Sequence, residues 1–300
     1  MAQPSRRHPG NVPGPWFVDD TCINCDASRQ CAPELFGEQD GQAVVVRQPS
    51  TEAEVVAATR AMLICPTASI GVVGLKPPTE GLFPMELDAG VYLCGFNSPK
   101  SYGANSYFVV REGGNFLVDS PRFVGPLVNR FESLGGVQDI LLTHRDDVAD
   151  ADRYAAHFGA RVWIHEDDRH AAPYATSLVR GQEPSTLREE LVALPVPGHT
   201  RGSMMFLLEN RYLFTGDSLY WSREQQRLSA FRAQCWYSWE AQAESLARLV
   251  GSVRFEWVLA GHGDRHRASL EGFQASLSAL VERMRSGESL SGGGARDTSW

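Results

Sequence analysis

Several things are missing from this sequence. No apolar run approaches the roughly 18 residues that a membrane span requires, which excludes a transmembrane helix. No apolar segment follows the charged opening MAQPSRRHPG, so no secretory signal is expected. Positive charge is in short supply, with 28 Lys and Arg against 36 Asp and Glu and a formal net charge of −8. That balance disfavours nucleic acid and anionic membrane surfaces as partners. There is no internal repeat. Cysteine becomes scarce after residue 66, where only Cys94 and Cys235 remain of six. In a chain without a signal, such clustering suggests metal or redox work rather than a disulfide framework. A cytoplasmic protein is therefore expected, with a small-molecule substrate, a possible redox partner protein, and neither nucleic acid nor membrane as partner.

What is present is ample for a packed core. Hydrophobic residues make up 43% of the 300-residue chain, enough for one large domain or a medium one plus a small one. Composition predicts disordered tails at 1–14 and at 286–300. The Pro-Pro pair in LKPPTEGLFP can continue neither a helix nor a central strand. It marks a linker over 76–87, between a small module at 15–75 and a larger one at 88–285. In the small module, WFVD and AVVVR read as strands. A helix is expected from Thr51 to about Leu63, with Glu52 and Glu54 in its first turn, where acids suit the helix dipole.

The large module alternates. Apolar runs at 106–110, 115–120, 139–144, 161–166, 203–208, 211–217 and 256–262 end in short polar loops. Helical segments fall at about 122–134, 148–158 and 238–251. Interleaved strands and helices, with hairpin-like pairs at 106–120 and 203–217, predict an α/β fold with sheets covered by helices.

In the small module the cysteines read Cys22-x2-Cys25-x5-Cys31, followed by Cys65-Pro66. An iron–sulfur cluster needs about four thiolates, from one compact loop and one distant position, and a proline after the last is recurrent. With VDDTCINC, APELF and ICPTASI in order, residues 15–75 resemble the small bacterial single-cluster ferredoxins. The resemblance implies a ferredoxin-like α+β domain with Cys22, Cys25, Cys31 and Cys65 as candidate ligands. It also exposes a departure, because the family's third cysteine falls at position 28, which is Ser28 here. Several outcomes stay open: Cys31 turns in, the cluster is 3Fe-4S rather than 4Fe-4S, a zinc ion takes the thiols, or the thiols are merely buried.

In the large module, His144, His199, Asp217 and His262 each sit just past an apolar run. Loops at one edge of an α/β core share a crevice, so four such groups can converge from distant positions. Imidazoles with a carboxylate suit Zn²⁺ or non-haem iron. The stretches THRDD, PGHTRGS, FTGDS and AGHGD resemble the metallo-β-lactamase-fold superfamily, especially its glyoxalase-II-like branch. The likeness implies an αββα sandwich with the metal at one edge between the sheets.

Against the family motif T-H-x-H-x-D-H, the chain reads Thr143-His144-Arg145-Asp146-Asp147-Val148-Ala149. The resemblance thus implies His144, Asp146, His199, Asp217 and His262 as candidate metal ligands, with Asp217 and His262 as catalytic candidates. Val148 and Ala149 cannot coordinate, so one ion is expected rather than two. Asp147 or Asp150 could substitute only if the loop rearranged. The acid run HEDD at 165–168 reads as a solvated loop. The aromatics Trp236, Tyr237 and Trp239 read equally as a substrate wall or as core.

Two activities follow from these resemblances. One is hydrolysis of a small ester or thioester with a metal-activated water. The other is redox chemistry at a two-His, one-carboxylate iron site, similar to that of the persulfide dioxygenases and fed by the ferredoxin-like module. A non-catalytic metal-binding scaffold is the third reading.

Overall fold

A computed structural model describes residues 1–287. The chain divides into two compact units: Met1–Ile140 with Ala149–Ala160, and Leu141–Val148 with the chain from Arg161 onward. The division does not fall at the Pro-Pro linker. The cysteine-rich segment and the first strands of the larger module share the first unit.

In the first unit, the strand Trp16–Val18 pairs antiparallel with Ile70–Val72, and Phe36–Gln39 pairs with Gln42–Val45. Their inward side chains, with Leu35, Ala61 and Cys65, form one buried cluster. Two helices pack here, α1 (Ala27–Cys31) and α2 (Glu52–Ile64). Helix α2 starts where its acids predict. Thr51 accepts from the Glu54 N–H at 3.2 Å, and the Glu54 carboxylate accepts from the Thr51 N–H at 3.1 Å. This reciprocal cap satisfies two otherwise orphaned donors. Residues 1–14, expected as a tail, are instead tied to this layer. Asn11 accepts from the N–H groups of Val18 and Val45, and His8 is buried. Composition misled here because Asn11 satisfies backbone groups of two strands rather than solvating a free chain.

The same unit holds the antiparallel meander Met85–Asp88, Val91–Leu93, Tyr107–Val109 and Phe116–Val118. It also holds α3 (Gly125–Ser133) and α4 (Ala151–Phe158). Phe108 stacks on Phe131 at 4.3 Å between ring centroids, with Tyr154 alongside. Each such fully buried aromatic contributes roughly 1.5–3 kcal/mol.

The second unit is built on a six-stranded sheet in the order Ser185–Arg188, Leu191–Pro195, Met204–Leu208, Tyr212–Gly216, Trp257–Ala260, His266–Arg267. One face packs on α5 (Trp239–Leu249) and α6 (Leu270–Ser286) through Leu194, Leu213, Leu246, Phe273 and Leu277. Helix α6 was not anticipated. Its apolar positions Phe273, Leu277, Leu280, Val281 and Met284 follow helical spacing. Ser269 caps its start and Gly287, at φ 75°, closes it. The tail expected from 286 therefore begins with the end of a helix, and 288–300 lie outside the described residues. No helix among the described residues is long and apolar enough to cross a membrane.

Candidate functional site

The second unit delivers its polar groups through strand geometry. Tyr212–Gly216 and Trp257–Ala260 are parallel neighbours, with Gly216 opposite Ala260. The residues just beyond them, Asp217 and His262, therefore emerge side by side. The Gly261 N–H bonds the Gly216 carbonyl at 2.9 Å. Gly261 must lack a side chain, because a Cβ there would stand 2.8 Å from Asp217 Oδ1 and 3.0 Å from Asp147 Oδ2. His199 rides the loop joining the antiparallel strands Leu191–Pro195 and Met204–Leu208. The Met204 N–H bonds the Thr143 carbonyl at 2.8 Å, which sets the His144 loop beside it.

Four of the five expected metal-site residues come together. His199 Nε2 lies 3.4 Å from Asp146 Oδ2 and 3.7 Å from Asp217 Oδ2. His144 Nε2 lies 3.7 Å from Asp217 Oδ2 and 4.0 Å from Asp146 Oδ2. The two imidazoles are buried and stand edge to face at 4.6 Å. Thr143 Oγ1 is 2.9 Å from His144 Nδ1 and fixes that ring, leaving Nε2 turned inward. His144 Nε2 and both ring nitrogens of His199 are buried without a hydrogen-bond partner, and on His199 it is Nε2 that faces the carboxylates. An orphaned imidazole nitrogen facing carboxylates is the donor arrangement a divalent cation satisfies.

His262 is placed differently. Its Nδ1 lies 2.9 Å from both carboxylate oxygens of Asp217, and its N–H bonds Asp217 Oδ1 at 3.1 Å. Among the described residues, two three-residue groups have ligand atoms close enough for one ion: His144–Asp146–His199 and His144–Asp147–Asp217. His262 belongs to neither and instead holds Asp217. Asp147, which was expected to need a rearranged loop, is already in the second group. A 3-10 turn over Arg145–Asp147 buries it, with Oδ2 4.0 Å from His144 Nε2. Asp150 is not available, since it takes Lys100 Nζ at 2.7 Å and the Phe123 N–H at 2.9 Å within the first unit.

The local charges follow from this crowding. Burial pushes His144 down to about 4, helped by the neighbouring His199 and opposed by Asp217 and Asp146. Burial acts to raise Asp217, but His262, His144 and His199 outweigh it and hold the carboxyl far below its ordinary value. Asp146 is also lowered, because His199, His144 and Arg145 overcome its desolvation. The site thus pairs a neutral His144 imidazole with the ionised carboxylates of Asp146 and Asp217, as metal ligation needs.

The reading of residues 165–168 as a solvated loop is corrected at Asp168, which is fully buried. It accepts from Thr200 Oγ1 at 2.6 Å, from the Arg145 N–H at 3.0 Å and from the Gly202 N–H at 3.3 Å. One carboxylate thus ties the His144 loop to the His199 loop. The signal in the sequence was the donor-rich His199-Thr200-Arg201-Gly202, which needs an acceptor once buried. His165 caps the adjoining 3-10 turn, accepting from the Asp167 N–H. Trp236 and Tyr237 are about half exposed, and the Trp236 ring lies 6.2 Å from that of His199. Trp239 packs on the core instead.

In the first unit, Cys22, Cys25 and Cys65 line one cavity with Val18, Ala43 and Ile70, and Ser28 lines it too. Cys31 does not. The Cys22 sulfur accepts from the N–H groups of Asn24 and Ala43 at 3.4 and 3.3 Å, and Cys65 from that of Ser69 at 3.3 Å. Burial pushes the Cys25 thiol up to about 12, with Cys65 and Cys22 adding to it. The loop is fixed from the other side as well. Tyr102 donates its hydroxyl to the Ile23 carbonyl. Gly103, at φ +88°, passes so near that a Cβ would lie 2.9 Å from the Cys25 sulfur.

Imidazoles and carboxylates gathered at strand ends of a mixed α/β fold define a metalloenzyme architecture. Residues 89–274 match the metallo-β-lactamase superfamily, and the chain belongs to that superfamily. Residues 18–72 match the 4Fe-4S single cluster domain of ferredoxin I. The chain is 34% identical over 155 residues to a hydroxyacylglutathione hydrolase of Fuscovulum blasticum, covering 50% of this chain and 58% of that protein. It is 28% identical over 190 residues to one of Acidiphilium cryptum, covering 60% and 76%. Among solved structures, the DIM-1 metallo-β-lactamase exposed to ceftazidime superposes with a TM-score of 0.52 at 17% identity, covering 68% of this chain and 96% of that one. At that identity the likeness speaks for the fold alone. The expected fold class, a metallo-β-lactamase sandwich preceded by a ferredoxin-like domain, holds. Membership implies a divalent metal, and the donors gathered here fit one.

Proposed function

We propose that the protein is a metal-dependent hydrolase of a small ester or thioester that uses one divalent ion, zinc or iron. The observation that carries this reading is the convergence of buried, unpartnered imidazole nitrogens on His144 and His199 with the carboxylates of Asp146 and Asp217. His144 Nε2 belongs to both candidate groups, and one ring nitrogen has one lone pair, so the two groups cannot be filled together. When bound, the ion supplies Lewis acidity and brings the pKa of water toward neutrality. The chain's own groups do the rest. Thr143 orients His144, and His262 keeps Asp217 ionised and in place. Asp147 supplies the carboxylate that Val148 cannot, with Oδ2 accepting the proton that water loses. Trp236 and Tyr237 offer an exposed aromatic wall beside His199 for the acyl group. The name that the two relatives share, hydroxyacylglutathione hydrolase, supports an acyl substrate.

The test is hydrolysis of a panel of acyl thioesters and esters by the full chain, before and after chelation, with zinc or ferrous ion restored. Activity should vanish on chelation, return with metal, and fall by at least about 100-fold in His199→Ala, which removes a ligand outright. Turnover that survives both chelation and His199→Ala would reject the reading, as would a metal-loaded enzyme inert toward the whole panel. A redox reading has one observation in its favour, the three thiols that line one cavity in the first unit, two of them accepting N–H groups. It predicts iron-dependent oxygen consumption where the hydrolytic reading predicts none.

A further inference from the structure

The ferredoxin-like segment departs from its family at one ligand, and the structure gives that departure a definite shape. Three thiols, on Cys22, Cys25 and Cys65, face one cavity. Three backbone N–H groups already point at two of the sulfurs. Such donors stabilise thiolates and tune iron–sulfur centres. The cradle therefore fits a cluster on three corners. The fourth corner is set by α1. Ser28 is the second residue of this helix, is buried, and lines the cavity. Cys31 is the last residue of the same helix. Three residues along an α-helix leave the side chain about 60° from its starting direction and advance it about 4.5 Å. Cys31 is offset from Ser28 by that step and is not among the residues that line the opening.

We infer that this chain holds an iron–sulfur cluster on the three thiolates of Cys22, Cys25 and Cys65, with the Ser28 hydroxyl at the fourth corner and Cys31 outside the ligand set. A corner without a thiolate holds its iron weakly, because these clusters are bound by cysteine sulfur. The stable form is then the three-iron cluster, with four sulfides. This inference concerns residues 15–75 only and does not depend on the hydrolytic reading of the second unit.

The experiment reconstitutes the full chain anaerobically with ferrous iron and sulfide, then measures acid-labile sulfide, iron and EPR spectra. Sulfide separates the cluster from any iron in the second unit. Wild type should show about four sulfides per chain and, once oxidised, the near-isotropic EPR signal of a three-iron cluster. Cys31→Ser should keep both. Cys65→Ser should lose both, with an unchanged far-UV circular dichroism spectrum showing that it folds. Ser28→Cys should restore four thiolates: the oxidised signal disappears, and a signal is seen only on reduction, as for a four-iron cluster. The inference is overturned if folded Cys31→Ser loses its sulfide as completely as Cys65→Ser. It is also overturned if wild type already shows the four-iron spectrum, or if wild type assembles no cluster.

Discussion

The cysteine cavity has lost one ligand-bearing residue relative to its family motif and the imidazole–carboxylate site three, and each keeps a donor three residues from a motif position. In the second unit the nearby donor arrives, since Asp147 lies three residues after His144 and its carboxylate faces the same ring nitrogen. In the first unit it does not, since Cys31 lies three residues after Ser28 and misses the cavity. The difference is the local backbone. His144 stands in extended conformation ahead of the 3-10 turn at Arg145–Asp147, and Asp147 at the end of that turn lies with its carboxylate toward the ring. In the α-helix Ala27–Cys31, residues three apart are offset. A replacement ligand is therefore a matter of backbone geometry as well as of distance along the chain.

The sharpest way to break this comparison is to remove the two neighbouring acids separately. Asp146→Ala, which removes a member of the His144–Asp146–His199 group, should weaken zinc binding by about 100-fold in a competitive chelator titration, and Asp147→Ala by about tenfold. The reverse order would place the ion in the His144–Asp147–Asp217 group instead. A smaller effect is expected from Asp168→Ala, which strands three donors shared by the His144 and His199 loops. Urea denaturation should show a loss of roughly 1–3 kcal/mol, and zinc affinity should fall by less than it does in Asp146→Ala. Unchanged stability would show that the loops hold each other without this carboxylate.

The smallest effect belongs to the first unit. The N–H groups and hydroxyl around Ser50, with Arg47, lower the Glu54 carboxyl to about 2. A depressed carboxyl stabilises the fold above its unfolded value of 4.5, and that contribution is lost as pH falls toward 2. Glu54→Gln should therefore melt below wild type near neutral pH, and the gap should close between about pH 4.5 and 2. A gap that is constant with pH would assign the effect to packing rather than charge.

Much of the second unit's site was legible in the sequence. Apolar runs ending in His144, His199, Asp217 and His262 do place those groups together, because strand ends share an edge. Asp147 and Asp168 were harder to read. Whether an acid in Arg145-Asp146-Asp147 faces inward depends on a 3-10 rather than an α turn, which three residues do not encode by pattern. Asp168 looked solvated because its partners, the Arg145 and Gly202 N–H groups and Thr200, lie more than twenty residues away. The same limit explains Cys31, whose spacing was readable while its direction was not.

Tyr102 and Gly103 belong to the segment matched by the lactamase family, yet they brace the loop that carries Cys22 and Cys25. The seam between the two ancestral sequences therefore does not coincide with a seam in the folded protein. The ferredoxin-like portion is no detachable cassette. Cutting at the Pro-Pro linker would strip the cysteine loop of its outer wall and open the other fragment's buried surface to water. The cysteine loop is built against residues of the lactamase-family segment, so it cannot be excised with its surroundings intact.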